Sequence, residues 1–196
     1  MLKMITHKGT QTIYTERLVL RKFTVDDAQA MYENWARDER VTRYLTWCPH
    51  ETSEVTRQLL EVWCADYDKP NNYNWVMGYS GTPIGNISVV HLNEKSEWAE
   101  LGYCMGFAYW NKGLMSEAVK AVIDFLFAEV GINRVGISHA VENPASGRIA
   151  QKCGLTYEGT KREYIRASGG KFLDISDHGI IRSDWEKRIS HCSRRQ

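Results

Sequence analysis

Apolar positions recur along this chain in two rhythms, and the switches between them mark the expected elements. Leu18-Val19-Leu20 is a short β-type run. Thr24-Val25-Asp26-Asp27 follows, with an N-cap threonine and an acid three positions on, which predicts a helix start. Ala28, Met31, Tyr32 and Trp35 then fall at i, i+3, i+4 and i+7, the stripe of an amphipathic helix. A second helix is predicted from about Ser53 to Asp66, with Val55, Leu59, Val62 and Trp63 on its apolar side. Tyr44 to Pro49 reads as an aromatic loop between them. From Tyr73 the rhythm becomes β-type: Tyr73 to Tyr79, Ile84 to Leu92 and Trp98 to Met105 are joined by connections too short for a crossover, so an antiparallel meander is expected.

Ser116 to Val130 returns to helical spacing, with Ala118, Ala121, Val122, Phe125 and Leu126 on one face. Gly131-Ile132-Asn133 ends it, and Arg134 to Val141 reads as a strand parallel to its predecessor, because a crossover helix separates the two. A short helix from Pro144 to Lys152 should stop at Cys153-Gly154, with the glycine in the left-handed position. Leu155 to Ile165 and Phe172 to Arg182 form a hairpin across Ala167-Ser168-Gly169-Gly170, and Ser183 with Glu186 would cap a last helix. The order β, α, α, β, β, β, α, β, α, β, β predicts an α+β domain with one mixed central sheet. No linker, repeat or low-complexity tract interrupts it, so residues 1–196 are expected to be one domain with its core at about 15–182.

Composition narrows the function by exclusion. With 43% hydrophobic and 25% charged residues the chain is ordinarily globular, and it holds no apolar run of the roughly 20 residues a membrane helix needs. The N-terminus lacks the apolar region of a secretory signal, so a cytoplasmic address is expected. Five scattered cysteines without C-x-x-C, and six dispersed histidines, argue against a disulfide framework and a metal site. A net charge of +1 is too balanced for direct nucleic-acid binding.

The chemistry concentrates between Glu100 and Glu117. A strand, Ala99-Glu100-Leu101-Gly102-Tyr103-Cys104-Met105, leads through Gly106-Phe107-Ala108-Tyr109-Trp110-Asn111-Lys112-Gly113-Leu114-Met115 into a helix at Ser116-Glu117-Ala118. The first turn of a helix carries unpaired N–H donors and a partial positive charge, and a glycine turn lets an anion approach them. A plain tight turn at Gly113 with a Ser116 cap explains the same residues. Neither the phosphate-loop spacing nor G-x-G-x-x-G is present.

Taken with the next forty residues, the run resembles the GCN5-related N-acetyltransferase (GNAT) superfamily, in particular its RimJ/RimL-like branch of ribosomal-protein N-terminal acetyltransferases. The residues that carry the resemblance are Thr15-Glu16-Arg17-Leu18-Val19-Leu20-Arg21, Leu101-Gly102-Tyr103, Tyr109-Trp110-Asn111-Lys112-Gly113, Ser116-Glu117-Ala118, Asn143-Pro144-Ala145-Ser146 and Lys152-Cys153-Gly154-Leu155. The resemblance implies that the strands holding Tyr103 and Ile137 are parallel but splay apart, leaving a wedge for the pantetheine arm of acetyl-CoA. It implies that backbone groups at Met105, Gly106 and Phe107 pair with pantetheine and that Trp110 borders the same segment. Amides of Asn111, Lys112, Gly113, Leu114, Met115 and Ser116 would hold the pyrophosphate. Asn143 would bind the pantetheine or its amide, and Ser146 would sit near the thioester sulfur. Asn111 stands where relatives usually have glycine and Met115 where they often have a smaller residue, but both keep their backbone N–H. Many relatives carry a tyrosine acid seven positions after the motif asparagine, and here that position is Ala150.

An acetyl transfer to an amine needs a neutral nucleophile and a route for the leaving thiolate. Deprotonating an α-amine at neutral pH costs about 1 kcal/mol, against roughly 4 to 5 kcal/mol for a lysine. Glu100, on the strand that borders the wedge, is the candidate base, sharing a face with Gly102 and Cys104 by alternation; a solvated or Arg-paired strand residue is the competing reading. Trp35, Tyr44 and Trp47 fall where relatives line the acceptor side, and core packing explains them equally. The expected activity is acetyl transfer to a primary amine, such as a protein N-terminus. The alternatives are a small-molecule amine (antibiotic, amino acid or polyamine) and a catalytically weak CoA-binding sensor. The late hairpin edge around Gly169 offers a surface for a homodimer.

Overall fold

The computed structural model describes residues 5–193, with side chains through Ser190. The first four residues, on which the reading of the N-terminus partly rests, and the side chain of Cys192 lie outside the described residues. One eight-stranded sheet organises the chain. Its strands are β1 (Ile13–Tyr14), β2 (Leu18–Arg21), β3 (Asn74–Tyr79), β4 (Thr82–Asn93), β5 (Trp98–Met105), β6 (Arg134–Ala140), β7 (Thr156–Arg166) and β8 (Phe172–Ile181). They lie in the order β1-β2-β3-β4-β5-β6-β8-β7. Every neighbouring pair is antiparallel except β5 and β6, as a helical crossover between those two requires.

The helices cover both faces. On one side, α1 (Ala28–Met31, continued by a π-helical turn over Tyr32–Ala36) and α3 (Ser53–Ala65) bury Phe23, Met31, Trp35, Ala36 and Leu60 against Val76 of β3. The short α2 (Glu39–Thr42), capped by Asp38, lies just before the stretch read as an aromatic loop. On the other side, α4 (Leu114–Phe125, continued by a π-helical turn over Leu126–Val130) lays Ala118, Val119, Val122 and Ile123 on Leu20, Trp75, Ile87, Ala99 and Leu101. α5 (Pro144–Lys152) and α6 (Arg182–Ser193) close that face. Along β5 this division separates the side chains by alternation: Ala99, Leu101, Tyr103 and Met105 join the α4 core, whereas Cys104 joins the α1/α3 core.

Two local expectations are met in detail, and one is not. The Thr24 capping box forms, with the Asp27 carboxylate accepting from the Thr24 amide at 2.8 Å. Gly154 takes its left-handed conformation at φ 80° behind α5. The last helix, by contrast, starts at Arg182 rather than after a Ser183 cap. Its first amide donates to the Asn133 carbonyl at 2.8 Å, and the Arg182 guanidinium donates to the Phe127 and Ile132 carbonyls, so β8 runs straight into the helix.

Asp27 also fastens α1 to the sheet. Arg21 of β2 grips it with two hydrogen bonds, at 2.7 and 2.8 Å, and Asp27 is only 7% exposed. Burial pushes the carboxyl up, but the bonds from Arg21 and Thr24 outweigh it and hold Asp27 below the usual carboxylate range. Its stabilisation is therefore complete above an unfolded-state pKa near 4 and is lost as pH falls through the lower folded value. Asp27→Ala should cost about 2 kcal/mol in denaturant unfolding at pH 7, below the cost of a fully buried pair because Arg21 is partly exposed. The acid limb of the stability–pH curve should flatten in the variant, and an unchanged limb would assign the acid sensitivity elsewhere.

Candidate active site

The parallel ladder between β5 and β6 is three residues long: Trp98 pairs with Arg134, Ala99 with Val135 and Glu100 with Gly136. Beyond Gly136, β6 keeps its partner β8 out to Ala140, and β5 keeps β4 out to Met105. The two strands separate because each follows its other neighbour. A bulge in β4 sits at the parting point, where Val89 opposes Leu101 and His91 opposes Glu100, leaving Val90 unpaired. Bulges bend and twist a strand pair locally. Val90 lies over Gly102, where a Cβ would come within 2.6 Å of its methyl group. The result is the expected wedge, with the Leu101–Met105 edge of β5 unladdered toward β6.

Glu100 is the last paired residue, at the apex of the wedge. It lines a cavity of about 500 Å³ together with His91, Trp98, Ser138, Lys161 and Tyr164. Ser138 donates to Asp177 at 2.9 Å, and Asp177 holds the Lys161 ammonium at 2.9 Å. Burial lowers the Lys161 pKa, but Asp177, Tyr164 and Glu100 more than compensate, so it is raised and the ammonium stays charged beside Glu100. Ser146 stands on the opposite face of the sheet, in the first turn of α5. Asn143 caps that helix, its side-chain oxygen accepting from the Ser146 amide at 3.4 Å. Ser146 is buried, and its hydroxyl lies 2.6 Å from that of Tyr103.

At the wide end of the wedge, Gly113 is the N-cap of α4 with φ 77°, and Asn111 is left-handed at φ 61°. Asparagine is among the few side chains that tolerate this region, which accounts for its standing where glycine is usual. The first intrahelical bond runs from Glu117 N–H to the Gly113 carbonyl, so the amides of Leu114, Met115 and Ser116 precede the ladder and are left for an anion. Ser116 therefore lies inside the helix, and the glycine makes the cap. The side chains of Leu114 and Met115 are buried, so those residues can offer a ligand only their backbone. Gly106 lies against the Asn34 carbonyl, which a Cβ would meet at 2.5 Å, and its amide donates to Ile84. The Met105 carbonyl accepts from the Trp110 indole at 2.7 Å. Phe107 stacks obliquely on Trp110, and Lys112 lies 5.4 Å from the Tyr109 ring.

Glu117 joins two motifs a hundred residues apart. Its carboxylate accepts from the Thr15 hydroxyl at 2.6 Å, the Arg17 amide at 2.8 Å and the Arg17 guanidinium at 2.7 Å. Burial would raise its pKa, but the bonds from Thr15 and Arg17 hold it lowered. Arg17 also donates to the Lys112 carbonyl at 2.9 Å and lies 3.5 Å from the place of a Gly113 Cβ, pinning the loop from its outer side.

The expected acceptor residues are not gathered. Trp35 is fully buried in the α1/α3 core and presents no surface to a ligand, which corrects its reading as an acceptor contact. Trp47 packs on His50, and Tyr44 packs against the small cluster around Ala140 and Leu173. Instead, Lys161, Tyr164 and Ser138 stand beside Glu100; nothing in their local sequence marks them, because β6 and β7 supply them from the far half of the sheet. Tyr103 was legible only as part of a motif.

The wedge, the unladdered first-turn amides of α4 and the capped α5 fit a pantetheine and pyrophosphate group. A model of the acetyltransferase (GNAT) domain matches residues 17–156. An uncharacterized N-acetyltransferase of Bacillus subtilis, YoaA, is 31% identical over 170 residues, 86% of this chain and 95% of that protein. A GNAT-family acetyltransferase structure from Bacillus anthracis superposes with a TM-score of 0.76 at 27% identity, covering 88% of this chain and 99% of the other. RimL, a ribosomal-protein α-N-acetyltransferase solved with coenzyme A, shares the fold alone at 19% identity, with a TM-score of 0.79 over 87% of this chain and 98% of its own.

Replacing Gly113 with valine should weaken coenzyme A binding about tenfold, since a β-branched residue at positive φ is strained and would crowd the amides. Isothermal titration measures this, and an unaltered dissociation constant would mean that the anion site lies elsewhere. The chain belongs to the GNAT acetyltransferase family.

Proposed function

We propose that the protein transfers the acetyl group of acetyl-CoA to a primary amine, with a protein N-terminal α-amine as the first class of acceptor. The observation that carries this reading is the placement of Glu100 and Ser146 on opposite faces of one gap in the sheet. An amine entering from the Glu100 cavity meets a carbonyl held in the gap, and the departing sulfur lies on the Ser146 side. Glu100, directly or through a water, takes the surplus proton of the amine. For an α-amine that task is light, about 1 kcal/mol at neutral pH. Amides of Leu114 to Ser116 hold the pyrophosphate, with Lys112 adding charge, and the unladdered edge of β5 aligns the pantetheine arm.

A small-molecule amine is the second reading, favoured by the cavity itself. About 500 Å³ is the scale of a small-ligand site, and its Lys161 ammonium beside Glu100 suits an acceptor that carries an anionic group near its amine.

Assaying acetyl transfer across N-terminal peptides, lysine peptides, amino acids and polyamines decides between the two acceptor classes. Coenzyme A binding without transfer to any of them would favour a sensor and overturn the catalytic reading. Glu100→Gln should lower kcat about a hundredfold at pH 6.5 and far less at pH 9, where the amine deprotonates unaided. A loss independent of pH would remove Glu100 as the base.

A further inference from the structure

Tyr103 and Ser146 come from different halves of the site, yet their hydroxyl oxygens are 2.6 Å apart. Each hydroxyl carries one proton, and only one of the two can lie between the oxygens. If the serine donated, the tyrosine proton would be left with the Ser146 carbonyl, at 3.5 Å, too long for a good bond. That carbonyl also lies inside α5, where the helix ladder already uses it. A phenol is the more acidic hydroxyl and the better donor. The tyrosine therefore donates and the serine accepts, which leaves the serine proton free to turn elsewhere.

We infer that Tyr103 is a positioning residue for the acetyl transfer: by donating to Ser146 Oγ it aims the serine proton at the sulfur that leaves. The inference rests on the reading proposed above, in which Ser146 faces that sulfur. The amine nitrogen forms the C–N bond with its lone pair, the C–S bond breaks with its pair going to sulfur, and the amine's surplus proton passes to Glu100 or water. The thiolate departs hydrogen-bonded to Ser146 and is protonated later by solvent. Tyr103 keeps its proton throughout, because burial outweighs the effect of the hydrogen bond it shares with Ser146 and pushes its hydroxyl well above the ordinary tyrosine value. It is a fixed donor rather than a relayed acid. Ala150, one turn beyond Ser146 on α5, is fully buried and belongs to the same apolar cluster that the Tyr103 ring packs against, so a small side chain stands on the helix where many relatives carry a tyrosine.

The test is a double-mutant cycle with a readout on the sulfur. Tyr103→Phe should lower kcat about tenfold with KM for acetyl-CoA within about twofold, and Tyr103→Phe/Ser146→Ala should be no slower than Ser146→Ala alone. The thiol pKa of bound coenzyme A, read from thiolate ultraviolet absorbance, should rise by about half a unit to one unit in Tyr103→Phe. Additive losses in the double variant, a loss confined to KM, or an unmoved thiol pKa would each overturn the inference. A wild-type protein that acetylates no amine while its bound thiol still responds to Tyr103→Phe would sink the catalytic reading and leave the Tyr103–Ser146–sulfur arrangement standing. Unmeasurable coenzyme A binding would overturn both.

Discussion

Everything in the site follows from a ladder that stops after three residues. Backbone N–H and C=O groups left unpaired inside a protein are costly, so a parallel pair normally runs on until one strand ends. Here β5 and β6 part at Glu100 and Gly136 because β4 and β8 hold them on diverging paths, and the bulge at Val90 bends the β4–β5 pair at the same point. The cost of the gap is offset by the eight-stranded sheet and its two covered faces. What the gap supplies is a stretch of unladdered strand edge whose backbone groups an extended amide-bearing arm can satisfy.

The sheet has two faces at this gap, and the alternation of side chains makes them chemically different. The Glu100 side opens into a polar cavity with a charged lysine held by Asp177 and Tyr164. The Ser146 side is an enclosed pair of hydroxyls under a helix start. Proton removal belongs where water and a carboxylate are present, and stabilisation of a leaving sulfur belongs where hydrogen-bond donors are fixed and water is scarce. In the proposed acetyl transfer these tasks would fall on opposite faces of the sheet, because Glu100 and the Tyr103 that meets Ser146 point to opposite sides of β5.

The wide end of the wedge is stabilised by a contact between distant segments. The Glu117 carboxylate neutralises Arg17, caps Thr15 and leaves the Arg17 guanidinium over the loop that carries Asn111 and Gly113. A carboxylate near a helix N-terminus is favourable in itself, and its hydrogen bonds hold the segment between β1 and β2 against the turn that opens α4. Loop and edge strand are thus one unit.

The local rhythm of the sequence sufficed for most elements: the meander, the crossover helix with the parallel strand after it, the Thr24 box, the α5 boundaries and the left-handed Gly154 all depend on neighbours within a few residues. The anion-friendly loop was legible for the same reason, and the run of motifs around it pointed to the family. Tertiary structure alone decided that Trp35 is core rather than pocket, that Ser183 is not a cap, and that Lys161, Ser138 and Tyr164 surround Glu100. It also decided that Tyr103 meets Ser146. Those facts depend on which strand lies beside which, and on where a pairing stops, and such contacts join residues whose separation along the chain leaves no periodic trace.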